Sequence, residues 1–214
     1  MVPFFVLVID TEALKRFLDE QLPAGCLGAV RAIVPGDEER LTPLEASGLD
    51  RAVISVRRAS GAGRDLARFL CKELGSPTVE IPRSPQRYPV WPANLVGSIT
   101  HDAQFAAAIA GPANNFGGIG VDIEPPRPLP SGVTEIVASA DELTSFSDLP
   151  YGDKALFSIK EAVFKAVYPH DQVFLDFCDV TVARSSQMAT TNCGRIVNWR
   201  VLTDPWILAI AWWK

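Results

Sequence analysis

The sequence predicts an α+β protein in two lobes, each a small, mostly antiparallel sheet packed with helices. Three observations lead there. The second half repeats the order of elements of the first in outline, although no repeat exists at the residue level. Each half opens a helix with a capping signature, Thr42-Pro43-Leu44-Glu45 in one and Ser139-Ala140-Asp141-Glu142 in the other. A stiff proline run, Pro125-Pro126-Arg127-Pro128-Leu129-Pro130, lies between them as a crossover.

Taken in order, the apolar start from Val2 to Ile9 has no basic flank before it and no small-residue cleavage pattern after it, so it reads as a buried strand rather than a targeting segment. A helix is expected over Glu12 to Gln21 and a strand near Leu27 to Val34. At Thr42 the cap, the proline at the first helical position and the glutamate that reaches back mark a helix start. Leu66, Phe69, Leu70 and Leu74 stand at helical spacing, which predicts a helix from Arg64 to Leu74 ended by Gly75. The prolines of EIPRSPQRYPVWPANL forbid regular pairing and make that segment a wrapping loop, with Trp91 packing the loop. Strands follow at Val96–Ile99, Phe105–Ala110 and Gly117–Glu124. A long helix runs from about Asp153 to Tyr168, and FCDVTVAR, IVNWRVL and WILAIAWW supply the closing strands.

Composition narrows the function. The chain has 214 residues, 48% apolar and 21% charged, which is ordinary for a globular protein. A net charge of -5 argues against a nucleic-acid binder, since phosphate neutralisation needs a surplus of basic side chains. No apolar run is long enough to span a bilayer. Cys26, Cys71, Cys178 and Cys193 are scattered without a C-x-x-C pair, which suggests neither zinc nor disulfides and fits reduced thiols in the cytoplasm.

The chemistry gathers around GGIGVDIEPP. Side chains alternate along a strand, so Val121 and Ile123 share one face while Asp122 and Glu124 project together from the other. Taken alone, that is a solvated strand end. In FSIKEAVFKA, Glu161 and Lys165 are four apart on one helical face, a spacing that usually marks a surface ion pair. Phe157, Phe164 and Val167 are expected to form the buried stripe of this helix, and Lys160 reads either as a solvated residue or as a phosphate or partner contact. Together Asp122, Glu124 and Glu161 could form a cluster of three acids, which would need a hard cation such as magnesium to hold it.

Three segments, G-S-I-T-H at Gly97 to His101, G-I-G-V-D-I-E at Gly118 to Glu124 and F-S-I-K-E-A-V-F-K-A at Phe157 to Ala166, occur in this order. With the preceding Arg87-Tyr88-Pro89-Val90-Trp91-Pro92, they give a chain that resembles the 4′-phosphopantetheinyl transferases of the surfactin and enterobactin type over roughly Arg57 to Lys214. The resemblance implies a pseudo-twofold, two-lobed fold, here divided as residues 1–115 and 116–214, with coenzyme A in the cleft between the lobes. It implies transfer of the phosphopantetheine arm of coenzyme A to a serine of an acyl or peptidyl carrier protein, with release of 3′,5′-ADP. By similarity, Asp122, Glu124 and Glu161 hold magnesium against the pyrophosphate, Glu161 is also the candidate base, and Lys165 contacts phosphate. Thr100 and His101 lie in the segment set against coenzyme A, and Arg64 and Arg87 match positions used for its 3′-phosphate. Without the resemblance His101 is a structural histidine, and Arg57, Arg64 and Arg68 line a solvated helical face. A cytoplasmic monomer is expected.

Two departures from the family pattern bear on the site. Ala59-Ser60-Gly61 stands where Glu-Phe-Leu is usual, which leaves the start of the helix before Arg64 open. Asp102 places a negative charge beside a phosphate-binding histidine, which weakens binding unless the carboxylate points away. Two other functions remain from the sequence: a catalytically silent relative that binds coenzyme A or a carrier domain, and a metal-dependent phosphohydrolase. Intact Asp122, Glu124, Glu161 and Lys165 weigh against the first, and the lack of further His or Asp ligand clusters weighs against the second.

Overall fold

The computed structural model describes residues 11–214, so the strand expected at Val2 to Ile9 lies outside the described residues. The first half contributes helix α1 (Thr11–Gln21), strand β1 (Leu27–Ala32), a short 3-10 turn (Asp37–Arg40), helices α2 (Pro43–Ala46) and α3 (Ile54–Glu73), and strands β2 (Leu95–His101) and β3 (Phe105–Pro112). The second contributes β4 (Gly118–Glu124), the short helices α4 (Thr134–Val137) and α5 (Ala140–Ser145), and the long helix α6 (Gly152–Asp171). Four strands close it: β5 (Val180–Ala183), β6 (Met188–Thr191), β7 (Ile196–Leu202) and β8 (Ile207–Trp213). The strands form two sheets, ordered β1-β3-β2 and β4-β8-β7-β6-β5. Every pairing in them is antiparallel. This is the α+β, two-lobed architecture expected, with, among the described residues, three strands in the sheet backed by α3 and five in the sheet backed by α6.

Both capping boxes form. The Thr42 hydroxyl accepts the Glu45 amide while the Glu45 carboxylate accepts the Thr42 amide, and Ser139 and Glu142 do the same at α5. Helix α3 begins ten residues before the expected Arg64, and the run that conceals its start is a packing surface. A Cβ added at Gly61 would lie 1.9 Å from the Asp37 carbonyl oxygen, and one at Gly63 would lie 2.5 Å from Ile99 Cγ2. Tertiary contact there outweighs the poor helix propensity of glycine. Helix α6 carries Pro169 in its last turn and ends at Gln172, whose left-handed backbone donates its N–H to Tyr168 O. Its buried face consists of Leu156, Ile159, Ala162, Val163, Ala166 and Val167. Phe157 and Phe164, expected in that stripe, are only partly buried at its margin.

Alternation sorts the strand side chains between two cores. Val121 and Ile123 of β4, with Leu208, Ile210 and Trp212 of β8, pack toward Phe105, Ala107 and Ile109 of the first sheet. The opposite face of β8, Ala209, Ala211 and Trp213, packs with the buried residues of α6. The edges of the two sheets, β2 and β4, meet without a strand ladder. Ser98 Oγ accepts the Val121 amide at 3.1 Å, and Thr100 Oγ1 accepts the Ile123 amide at 3.3 Å. Two hydroxyls of β2 therefore satisfy amides on the edge of β4 that would otherwise be buried and unpaired. This seam fixes the position of everything that follows.

Candidate active site

Helix α6 lies directly on the even-numbered face of β4. A Cβ at Gly118 would stand 1.9 Å from the Ala166 carbonyl oxygen, and one at Gly120 would stand 1.9 Å from that of Ala162. The two glycines let backbone meet backbone, and the same face continues into Asp122 and Glu124. The acids of the strand end thus turn toward the helix and not toward solvent. Ser158 Oγ donates to the Asp122 carbonyl at 3.3 Å and ties helix to strand at that point.

Asp122 is buried, and its Oδ1 is the centre of a knot. Lys165 Nζ donates to it at 2.6 Å and Thr100 Oγ1 at 3.2 Å, while Lys165 Nζ also reaches Thr100 Oγ1 at 3.3 Å. Lys165 therefore spends its charge on Asp122 of β4, in place of the helical pairing with Glu161 that its spacing suggests. The other oxygen, Asp122 Oδ2, is buried and has no hydrogen-bond partner among the described residues. Such an atom is costly unless something binds it. Glu161 is destabilised in the same way. Burial raises its carboxyl pKa, the charges of Asp122 and Glu124 raise it further, and Lys165 opposes them. Glu124 in turn is held by Lys154 Nζ at 2.7 Å.

These features answer whether the acids suit a metal. An orphaned carboxylate oxygen and a carboxyl pushed toward its neutral form by burial and by two acidic neighbours are both relieved by a cation, and an all-oxygen donor set suits a hard ion such as magnesium. Side-chain ammonium groups now hold Asp122 and Glu124. Among the described residues, no group of three or more His, Cys, Asp or Glu side chains is drawn together so as to hold a metal by itself. The residues fit an ion that displaces these ammonium groups, draws its protein ligands from Asp122, Glu124 and Glu161, and leaves its remaining positions to water and phosphate.

The proline-rich loop forms one wall of a cavity of about 350 Å³ beside the acids, reaching from Arg87 and Tyr88 across Gly97 and Ser98 of β2 to Glu161 and Lys165. The loop folds back as a tight hairpin in which Ser84 and Tyr88 exchange hydrogen bonds and the Arg87 amide donates to Ser84 O. Arg87 is exposed, with φ at 77, a left-handed conformation that a side chain rarely adopts. Trp91 covers Gly97, whose Cβ would fall 2.3 Å from the indole, so it packs the loop as expected. An aromatic series, Tyr88 on Tyr168, Tyr168 on Phe164 and Phe164 on Phe174, continues the cavity wall along α6.

Arg64, Arg68 and Lys160 are placed differently from expectation. Arg64 belongs to no solvated face: it is 4% exposed, donates through Nε to Ile81 O at 3.0 Å and through Nη1 to Ser60 Oγ, and thereby anchors the loop from inside. Arg68 likewise pairs with buried Glu45. Lys160, read as solvated or as a partner contact, is 3% exposed; its ammonium donates to Glu142 Oε2 and to Phe177 O, each at 3.0 Å. A charge so buried must be paired, and this one fastens α6 to α5 and to the turn before β5. Asp102 does point away from His101, because Oδ1 accepts the Gln104 and Phe105 amides and Oδ2 accepts Trp206 Nε1 at 2.6 Å. His101 is solvent-exposed at the end of β2, yet the surrounding chain and then the Lys165 ammonium lower its pKa, with Asp102 opposing and Arg83 and Arg64 adding to the effect.

Sequence reasoning passed over Lys154 and Ser158. Both were available from periodicity, since 154, 158, 161 and 165 repeat at helical spacing on the face that meets β4. Glu45, read from the sequence only as the capping glutamate, also accepts the Ile81 amide at 2.8 Å and so pins the loop entrance opposite Arg64.

Residues 44–111 match the family model described as the 4′-phosphopantetheinyl transferase N-terminal domain, and residues 118–211 match that of the 4′-phosphopantetheinyl transferase superfamily. The chain is 33% identical over 177 residues to 4′-phosphopantetheinyl transferase PptT of Mycobacterium tuberculosis, an alignment covering 78% of this chain and 76% of the relative. It is 35% identical over 176 residues to 4′-phosphopantetheinyl transferase Npt of Nocardia iowensis, covering 81% and 79%. A third relative, 4′-phosphopantetheinyl transferase Svp of Streptomyces mobaraensis, is 35% identical over 163 residues, covering 73% and 66%.

Proposed function

This chain belongs to the 4′-phosphopantetheinyl transferase superfamily, and from that premise we propose that it moves the phosphopantetheine arm of coenzyme A onto a serine of a carrier protein and releases 3′,5′-ADP. The observation that carries the proposal is the convergence of Asp122, Glu161 and Lys165 beside a cavity walled by the Arg87 loop. The serine oxygen bonds to the phosphorus attached to pantetheine, the pyrophosphate P–O bond breaks, and the serine proton passes to a base. Glu161 is the acceptor at hand. In the metal-free site burial and the neighbouring acids raise its pKa and with it its basicity; as a ligand of the ion it is a weaker base and takes the proton through a water. A magnesium ion held by Asp122, Glu124 and Glu161 would neutralise the pyrophosphate and orient the phosphorus.

Lys165 and Asp122 fix one another, so the lysine offers its remaining donor capacity to phosphate oxygens without searching for a position. Thr100 acts through that knot by orienting Asp122 and Lys165. Arg87 and His101 receive the 3′-phosphate and neighbouring groups of coenzyme A, while Arg64 and Glu45 hold the loop that carries Arg87. Coenzyme A lies between a lobe of residues 1–115 and one of 116–214. The carrier docks on a largely apolar surface near α6, where Phe174 is 70% exposed, and Lys160 takes no part in that contact.

The likeness of the Arg87 to Pro92 segment to the enterobactin branch of the surfactin and enterobactin type supports carriers of nonribosomal peptide, siderophore, polyketide or related synthesis. The enzyme works as a cytoplasmic monomer. No helix among the described residues is long and apolar enough to cross a membrane. Mass spectrometry of a carrier protein incubated with the enzyme, coenzyme A and magnesium tests the proposal. The carrier should gain the phosphopantetheine mass at its serine, and an unmodified carrier across a panel of such domains would overturn it.

A further inference from the structure

Lys154 opens the face of α6 that meets β4, one turn before Ser158 and two before Glu161. Its ammonium lies 2.7 Å from Glu124 Oε2, with side-chain exposures of 10% for the lysine and 24% for the glutamate. The same nitrogen stands 4.7 Å from the centroid of the Phe157 ring, so the lysine is held on two sides. A buried ammonium and a divalent ion cannot both take the same carboxylate oxygen, because like charges at that separation repel strongly where water is scarce. The neighbouring Asp122 Oδ2, buried and without a partner among the described residues, marks where a cation is wanted.

We propose that Lys154 competes with the divalent cation for Glu124 and thereby sets the metal affinity of the site. In this arrangement Lys154 is a built-in counterion. It keeps Glu124 neutralised and positioned, and metal uptake exchanges the ammonium for the ion, freeing Lys154 to turn toward solvent or substrate phosphate. An affinity lowered in this way would couple metal binding to substrate, because the phosphates of coenzyme A add ligands that a carboxylate shared with lysine does not supply. The inference rests on the three-carboxylate reading of the metal site and adds to it a residue that reading does not contain.

The test is titration of the full-length protein with Mn²⁺ alone, followed by the electron paramagnetic resonance of free ion and by calorimetry, without coenzyme A. Lys154→Met keeps the length of the stem over Phe157 and removes the charge, and it should bind Mn²⁺ roughly tenfold more tightly than wild type. Lys154→Arg keeps the charge and should stay near wild type. Should the Met variant fail to fold, Lys154→Gln carries the same expectation. Equal or weaker binding in the uncharged variants would overturn the competition and leave Lys154 as a support for Glu124. If neither wild type nor variant takes up Mn²⁺ while transfer to a carrier proceeds, the three-carboxylate site itself is wrong and the proposal falls with it.

Discussion

Replacing Arg87 by glycine should make the protein more stable and the enzyme worse. Arg87 sits at φ 77, where a side chain costs about 1–2 kcal/mol relative to the right-handed region. Glycine removes that cost and adds back about 0.5–1 kcal/mol of chain entropy, so a net stabilisation of about 0.5–1 kcal/mol is expected. The hairpin bonds of the loop, from the Arg87 amide to Ser84 O and between Ser84 and Tyr88, involve only backbone and the Ser84 hydroxyl and survive the change. What is lost is the guanidinium proposed to receive the 3′-phosphate. A charge-assisted hydrogen bond is worth about 1.5–3 kcal/mol, which corresponds to a loss of about tenfold to a hundredfold in kcat/KM for coenzyme A. Urea unfolding gives the first quantity. Steady-state kinetics with coenzyme A and with dephospho-coenzyme A, which lacks the 3′-phosphate, give the second. Wild type should prefer coenzyme A, and Arg87→Gly should lose most of that preference. An unchanged ratio between the two substrates refutes the phosphate role, and a destabilised variant refutes the account of the strained backbone.

Lys160→Met should destabilise the fold by about 3–5 kcal/mol, since it strands the Glu142 carboxylate in the interior. Pairing it with Glu142→Gln should recover part of the loss in urea unfolding, and neither change should alter the salt dependence of carrier association. Glu161→Gln should alter stability in a pH-dependent way. The folded-state pKa of Glu161 lies above its usual value, so its favourable contribution is full below the unfolded pKa near 4.5 and is lost as pH rises through the folded value. Unfolding measured without divalent cations should therefore show the variant more stable than wild type at pH 8 and indistinguishable from it near pH 4, and a gap of the opposite sign would contradict the raised pKa.

What the sequence discloses here is what depends on near neighbours. The caps at Thr42 and Ser139 are legible because cap and partner lie three residues apart, and the shared face of Asp122 and Glu124 follows from strand alternation alone. The start of α3 is not legible, because the glycines that obscure it are explained only by the Asp37 carbonyl and Ile99, which the fold brings against them. Lysine partners are equally hidden. Lys165 stands four residues from Glu161 yet reaches 2.6 Å from Asp122, and Lys160 turns inward to Glu142, since the choice among acids depends on which sheet the helix covers. Strand β6, only Met188–Thr191 and polar in part, has too short a pattern to announce itself. The three acids, read from the sequence as needing a cation to hold them, are partly neutralised by lysines the sequence did not connect to them, Lys165 at Asp122 and Lys154 at Glu124.

The central claim is that the knot of Asp122, Thr100 and Lys165, with Glu161 beside it, is where the phosphopantetheine arm is transferred. Its most direct measurement is the intact mass of a carrier protein over time with wild type and with Asp122→Asn, each checked for folding by circular dichroism. The account predicts conversion of the carrier by wild type and a loss of at least about a hundredfold in rate for the folded Asn variant, in line with removal of a charge that orients the reacting groups. A folded Asp122→Asn protein that loads the carrier at the wild-type rate would contradict it.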